Sequence, residues 1–174
     1  AASSGEIQFR GQEIKKPHPH IGMVFQEYSL FPWLPVIHNV ASGPEFAGMK
    51  KLERLELAQH YLEVVGMSEF ADAFPHELSG GMRQRVAIAR AFANDPKILL
   101  MDEPFGSLDA HTRILLQKEL LRIWETHRKT ILFVTHSVDE AVYLADRVVI
   151  MSARPGKVKE ILKIDMGRPR SRAN

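Results

Sequence analysis

An α/β fold with a parallel strand crossover is what this 174-residue sequence predicts, on three observations. Ile98-Leu99-Leu100-Met101 and Ile131-Leu132-Phe133-Val134 are apolar runs too short for helices, and both read as buried strands. Between them Leu116, Leu120, Ile123 and Trp124 recur at offsets of 4, 7 and 8, the stripe of an amphipathic helix over about 111–126. A third apolar run, Ile21 to Phe25, reads as another buried strand ending at the polar pair Gln26-Glu27. Strand, helix, strand in that order implies a crossover connection and hence parallel pairing.

The remaining elements follow in chain order. Glu6 to Arg10 alternates and resumes at Glu13-Ile14, which predicts a small hairpin turning at Gly11-Gln12. Phe31-Pro32-Trp33-Leu34-Pro35 carries two prolines that break both helix and sheet, so it is expected as a loop bearing large aromatics. Leu55, Ala58, Leu62 and Val65 mark one face of a helix over 52–65, with Gly66 as its C-terminal cap. A second helix opens at Ser79, a natural N-cap, and stops before Asn94-Asp95-Pro96. Beyond His136, Ser137-Val138-Asp139-Glu140 has the spacing of a capping box and starts a helix to about Ala145. Arg147 to Met151 is β-rich, Ala153 to Gly156 turns the chain, and Lys157 to Ile164 can pair back antiparallel. The tail Arg168-Pro169-Arg170-Ser171-Arg172 is basic and proline-broken, and a solvated course is expected for it.

Composition narrows the function classes. With 45% hydrophobic and 25% charged residues the chain fits a globular domain, and the prior is one domain over residues 1–174. Lys+Arg 23 against Asp+Glu 21 leaves a net charge of +2, which excludes a nucleic-acid surface spread over the whole molecule. No apolar run approaches the ~20 residues that span a bilayer. The absence of cysteine excludes disulfides, thiolate metal sites and cysteine nucleophiles, and it fits a reducing compartment such as the cytosol. Ala1 to Glu6 has neither an initiator Met nor the layout of a signal peptide, and it reads as the start of a fragment.

Chemistry concentrates where the three apolar strands end, in Gln26, in Asp102-Glu103 and in His136. Ligands of open parallel sheets bind beyond the carboxyl ends of the strands, so these ends are expected to converge. An acid fixed at a strand end is suited to hold Mg²⁺, which makes Asp102 the metal candidate and leaves Gln26 as an amide-oxygen ligand of the metal or of the attacking water. Glu103 can orient or deprotonate a water for in-line attack on a terminal phosphate, and His136 can hydrogen-bond that phosphate. Ser79-Gly80-Gly81 joins a hydroxyl, bare backbone N–H groups and the positive end of a helix dipole, which together can hold an anion. Taken singly, each has a plainer reading: a helix cap, a solvated turn, a structural histidine, an ordinary surface glutamine.

Their order changes that balance, because the set resembles the nucleotide-binding subunit of an ATP-binding-cassette (ABC) transporter across nearly the whole chain. Leu78-Ser79-Gly80-Gly81-Met82-Arg83-Gln84 resembles the family's signature motif, and Ile98 to Pro104 its Walker B strand with the catalytic glutamate. Ser107-Leu108-Asp109 resembles the D-loop, Gln26 the Q-loop glutamine, and His136 the switch histidine. The resemblance implies a P-loop NTPase-like parallel sheet with an α-helical subdomain inserted over about 38–95. It also implies that Asp102 organises Mg²⁺, Glu103 polarises water and His136 contacts the terminal phosphate. Ser79, Gly80 and Gly81 would contact ATP held by the opposite subunit, and Gln84 of the same motif, Asp109 of the D-loop, Gln26 and Asp102 complete the ATP-binding set that the resemblance implies. A second ATPase subunit is therefore an implied partner, and a homodimer is the expected form.

Phe25 to Trp33 and Met151 to Gly156 resemble the importer branch for nitrate, sulfonate, taurine and similar anions. That branch implies transmembrane permease subunits contacted through Phe31, Pro32 and Trp33, an indirect solute-binding protein partner, no nucleic acid, and a peripheral place on the cytoplasmic face of the membrane.

The sequence departs from the family in containing no G-x-x-x-x-G-K-[ST] string; its Gly-Lys pair, Gly156-Lys157, precedes Val158 and follows a proline turn. The expectation is a chain that begins just after the P-loop and is incomplete at its N-terminus. The apolar faces of 21–25, 98–101 and 131–134 would then lack a neighbour, with poor stability or aggregation as the result. A second reading is a non-catalytic module that keeps the dimer and permease contacts without turnover. A third, a DNA-associated ABC ATPase, needs a long coiled coil before the signature, and the stretch from Gln26 to Ser79 has no sustained heptads.

Overall fold

The computed structural model of the protein describes residues 4–26, 28–168 and 170; Glu27 and the tail residues Pro169, Ser171 and Arg172 lie outside them. The chain divides into two units, Ala1–Phe133 and Val134–Asn174.

The first unit opens on β1 (Gln8–Phe9) and β2 (Gln12–Glu13), paired antiparallel. The hairpin turns one residue earlier than expected, at Arg10 and Gly11, whose φ of 52° and 75° give the double left-handed corner that matches strand twist. Next comes β3 (Ile21–Val24), in parallel register with β4 (Ile98–Asp102) so that Val24 stands opposite Met101. The sheet order is β3-β4-β5, with β5 at Thr130–Val134 and α4 (Ala110–His127) in the connection between β4 and β5. This is the mixed α/β architecture with a parallel sheet that the apolar runs predict.

Burial of those runs is less complete than expected. Leu99, Met101 and Val24 are buried on one face, and Phe105 is likewise buried, its ring 5.5 Å from that of Phe133. On the other side Met23, Phe25, Leu132 (60% exposed) and Val134 (50%) meet solvent. The strands at 21–24 and 130–134 are thus covered on one face among the described residues, and the expectation of strands buried on both faces is corrected. The open apolar faces foreseen for 21–25 and 131–134 are present, whereas in β4 Leu99 and Met101 are closed off.

Between β3 and β4 the chain builds α1 (Val36–Phe46), α2 (Lys51–Val64) and α3 (Gly80–Ala93), which pack on one another through Val36, Val40, Ala58, Leu62, Val86 and Ile88. The face read from α2 is the buried one, with Ala58, Leu62 and Val65 inside. Its end is a Schellman closure: Gly66 N–H donates to Glu63 O (3.0 Å) and Met67 N–H to Leu62 O (2.7 Å), with Gly66 at φ 65° and Met67 buried behind it. Helices α1 and α3 approach so closely that a Cβ at Gly43 would lie 1.3 Å from Asn94 Oδ1.

The second unit holds α5 (Val138–Leu144) and the antiparallel pair β6 (Arg147–Met151) and β7 (Val158–Lys163). Arg168 and Arg170 do not take the solvated course expected of the tail. Arg170 donates to the carbonyls of Val142, Tyr143 and Ala145 at 2.7–3.1 Å, and Arg168 to that of Leu144 at 2.6 Å and to the Asp146 carboxylate. The unsatisfied carbonyls at the end of a helix attract cations, and two guanidiniums are drawn there out of solvent.

Replacing Gly66 with alanine leaves ordinary space, because the new Cβ would sit 3.5 Å from Arg85 Nη1, so the cost is that of a left-handed backbone alone. We expect a loss of about 1 kcal/mol in urea unfolding, with an unchanged denaturant slope.

Candidate functional site

The parallel register of β3 on β4 brings two of the predicted residues to one sheet edge. Gln26 follows Val24 by two positions and Asp102 follows Met101 by one, so both leave the carboxyl ends of adjacent paired strands. Asp102 is half-buried as the last residue of β4, while Gln26 is exposed. Glu103, next in line, is half-buried and has φ 42°. A non-glycine residue in that conformation costs roughly 1–2 kcal/mol and persists only where its surroundings over-determine it. Here a turn holds it, Gly106 N–H donating to Glu103 O at 3.1 Å, while Phe105 is pinned in the core. The Glu103 carboxylate lies beside this turn, its Oε2 3.9 Å from where a Cβ on Gly106 would stand.

The stretch that follows, Ser107-Leu108-Asp109, lies against the start of α3: a Cβ on Gly81 would meet Leu108 Cδ2 at 3.6 Å and Ser107 O at 3.7 Å. Asp109 caps α4 by accepting from Thr112 N–H at 2.9 Å. The hydrogen bonds from Thr112 hold its carboxyl below the usual carboxylate range. Ser79 caps α3 in the same way, its Oγ accepting from Met82 N–H at 3.3 Å, and Ser79 is exposed with Gly80 and Gly81 partly so. Gln84, one turn further, is different. It is 1% exposed, with neither amide atom hydrogen-bonded, so its side chain belongs to the interior of the helical packing. Of the residues expected to bind ATP, Gln84 is thus the one that faces inward from α3.

The loop from Tyr28 to Pro35 is irregular, as its prolines require, and it is fastened at both ends by residues that the sequence reading passed over. Asn39, fully buried on α1, accepts from Phe31 N–H (2.7 Å) and donates to the carbonyls of Phe31 (3.0 Å) and Leu34 (2.8 Å). Arg90 of α3 donates to Ser29 O (2.8 Å) and Tyr28 O (3.3 Å), and its guanidinium lies 5.8 Å from the Phe31 ring centroid. Burial lowers the Arg90 pKa from its ordinary value. Arg83, two turns back on the same helix, lies 5.2 Å from the Tyr28 ring centroid, and a Cβ on Gly80 would meet Tyr28 Oη at 2.8 Å. The signal was legible in part: Arg83 and Arg90 are seven apart, hence on one helical face, and Asn39 interrupts the apolar stripe of Val36 and Val40. Held in this way, the loop carries Trp33 69% exposed, Pro32 exposed and Phe31 half-buried beneath them, the Phe31 and Trp33 rings 5.6 Å apart.

His136, in the second unit, is exposed and stands two residues beyond β5. Thr135 Oγ1 accepts from Ser137 N–H (3.0 Å) and donates to Glu140 Oε2 (2.7 Å), and Ser137 Oγ accepts from Glu140 N–H (3.4 Å). The expected capping box is thereby modified, since the Glu140 carboxylate takes the threonine hydroxyl and the threonine takes the Ser137 amide. Among the described residues no cluster of three His, Asp or Glu side chains forms a ready metal cage. One strand-end carboxylate fits Mg²⁺ that arrives with phosphate and water ligands, because that ion is ordinarily held by one or two protein carboxylates plus substrate.

Asn39→Ala is expected to lower stability by about 3 kcal/mol in chemical denaturation, since it orphans one buried N–H and two carbonyls at once. Asn39→Asp should fare no better, because a carboxylate would face the same carbonyl oxygens. For Asp109 the sign is that of a depressed acid: its capping contribution is complete above the unfolded carboxylate pKa near ~3.9 and is lost as pH falls through the lower folded value. A carbon-detected NMR titration of Asp109 should give a midpoint below that of a model peptide, and Thr112→Ala should move it upward.

Three kinds of likeness agree with this geometry. Residues 1–106 match the family described as ABC transporter. An uncharacterised ABC transporter ATP-binding protein of Methanocaldococcus jannaschii is 56% identical over 172 residues, 99% of this chain and 64% of its own length. The taurine import ATP-binding protein of Rhizobium johnstonii is 51% identical over 166 residues, 95% of this chain and 63% of its own. The chain thus spans a little under two thirds of these relatives. Among solved structures, an ATP-binding cassette captured as a dimer in a post-hydrolysis state with ADP and Pi superposes with a TM-score of 0.85 at 31% identity, covering 95% of this chain and 75% of that one. With the family match extending over more than half of its residues, and with its strands, capped helices and strand-end acids in that order, this chain belongs to the ABC transporter family.

Proposed function

We propose that the protein is the ATP-binding and ATP-hydrolysing subunit of an ABC importer for nitrate, a sulfonate, taurine or a similar anion. The observation that carries this reading is the strand-end pair Asp102-Glu103, with Glu103 turned into the left-handed region, in a chain of this family. The taurine import relative and the cassette with ADP and Pi support it from outside the chain.

In the proposed reaction Asp102 and Gln26 hold the Mg²⁺ that accompanies ATP, and the ion supplies charge neutralisation at the phosphates. Glu103 orients the attacking water and accepts its proton. His136 hydrogen-bonds the terminal phosphate. Ser79, Gly80 and Gly81 offer a hydroxyl and helix N-terminal amides to ATP held by a second ATPase subunit, with Asp109 at the adjoining loop. Residues 38–95 act as the helical subdomain. Phe31, Pro32 and Trp33 are the surface for transmembrane permease subunits, and a solute-binding protein is reached through them. No helix among the described residues is long and apolar enough to cross a membrane, so attachment through the permease is the route to a peripheral place on its cytoplasmic face.

Glu103→Gln removes the proton acceptor and leaves the side-chain volume nearly unchanged. It should reduce steady-state MgATP hydrolysis by about 100-fold or more while MgATP affinity by calorimetry stays within about threefold. Hydrolysis at the parental rate in this variant would overturn the assignment of Glu103. Failure of the parent protein to bind MgATP would overturn the reading as a whole.

A further inference from the structure

We propose that Thr135 and Glu140 are positioning residues for His136, acting as a hydrogen-bonded mooring that fixes the backbone on both sides of it. The proposal rests on the reading of His136 as a phosphate contact. Sequence alone assigns Glu140 to an ordinary capping box, in which its carboxylate would reach back to the Ser137 amide. The geometry departs from that pattern in a specific way. Ser137 N–H donates to Thr135 Oγ1 at 3.0 Å, so the residue after His136 is tied to the side chain of the residue before it. The hydroxyl proton of Thr135 then goes to Glu140 Oε2 at 2.7 Å, and Glu140 is 7% exposed. A threonine hydroxyl has one proton and two lone pairs. With the proton committed to a buried carboxylate, a lone pair is turned toward the Ser137 amide. The β-branched Thr135 side chain adds a stiff χ1.

The outcome is a closed loop of bonds spanning His136: Ser137 amide to Thr135 hydroxyl, hydroxyl to Glu140 carboxylate, and Glu140 amide to Ser137 Oγ at 3.4 Å. His136 itself remains exposed in the middle of it. Any drift of the backbone between the strand and the short helix would carry the imidazole with it. Catalytic contact requires it to wait in one place, and the mooring supplies that restraint without touching the imidazole's own chemistry. Charge-assisted hydrogen bonds such as that to Glu140 are about twice as strong as neutral ones, which suits them to an element that must not drift.

The test uses four variants of the protein and two readouts. Thr135→Val is isosteric and lacks the hydroxyl, and Glu140→Ala removes the acceptor; Thr135→Ser and Glu140→Gln keep a hydroxyl and an oxygen acceptor. Amide hydrogen exchange at Ser137 should accelerate by about tenfold or more in Thr135→Val and stay within about threefold of the parent in Thr135→Ser. In MgATP hydrolysis, Thr135→Val and Glu140→Ala should lower kcat by about tenfold with KM within about twofold, and the two conservative variants should recover most of it. In a His136→Ala background Glu140→Ala should have no further effect, because a residue that acts only through His136 has nothing left to position.

An additive double variant, or a parental kcat in Thr135→Val, would overturn the proposal. If Glu140→Ala does not fold, the Thr135 pair carries the same comparison. Unaccelerated Ser137 exchange in Thr135→Val would overturn the mooring itself, whereas hydrolysis in the parent indifferent to His136→Ala, with that exchange accelerated, would sink the functional reading and show a mooring that serves something else.

Discussion

The parallel pairing of β3 with β4 is the constraint on which the candidate site depends. Register there is set by burial: Val24 and Met101 stand opposite one another and both face the core, so a slip of one residue would turn an apolar side chain out and a neighbour in. Once that register is fixed, Gln26 and Asp102-Glu103 must emerge together, although about 75 residues of chain separate them. The helices α1 to α3 are made within that interval, and they return to the same edge because α3 leads directly into β4. Local chemistry at the edge is thereby assembled from distant sequence through a contact that involves no functional side chain.

Helix α3 then serves both ends of the assembly. Its N-terminus presents Ser79, Gly80 and Gly81, and its partly buried Arg83 and Arg90 hold the loop that follows Gln26. Tyr28 meets both, lying under Arg83 and against the bare Cα of Gly80. Glycine at 80 therefore answers a packing requirement as well as opening backbone amides. The loop tip with Trp33 is exposed while its base is held by Asn39 and Arg90, an arrangement that keeps a large aromatic in water at a defined place. Such ordering of an exposed aromatic has an entropic cost, which the buried hydrogen bonds of Asn39 offset.

Much of this was legible in the sequence, and the reasons differ by element. The caps at Ser79, Ser137 and Gly66 could be read because a single residue type at a helix end satisfies backbone groups that have no other partner. The strands over 98–101 and 131–134 were legible as strands from their apolarity, yet not in their depth, since whether the second face is covered depends on what packs there. Helix α1 escaped notice because Asn39, Ser42, Gly43 and Pro44 crowd its 11 residues. Each is a poor helix former by local preference, and two of them are used in tertiary contact, Asn39 in fastening the loop and Gly43 in the close approach to Asn94. Motif order singled out Asp102, Glu103 and His136 but gave no sign that Gln84 is buried, because a motif records position along the chain and the inward or outward face of a helix is decided by packing. The arginine tail was misread for a related reason: charge suggests solvent, and the open carbonyls of α5 compete for it.

The backbone of Glu103 sets stability against selection. A left-handed turn is tolerated by glycine at no cost and by asparagine at little, so the replacements that remove this carboxylate are also those that relax the chain. β-Branched replacements, in contrast, would add a steric cost to a backbone already strained. Mutational drift at this position is therefore biased toward well-folded descendants that have lost the acid, and retention of glutamate there has to be maintained by what the protein does rather than by how well it holds together.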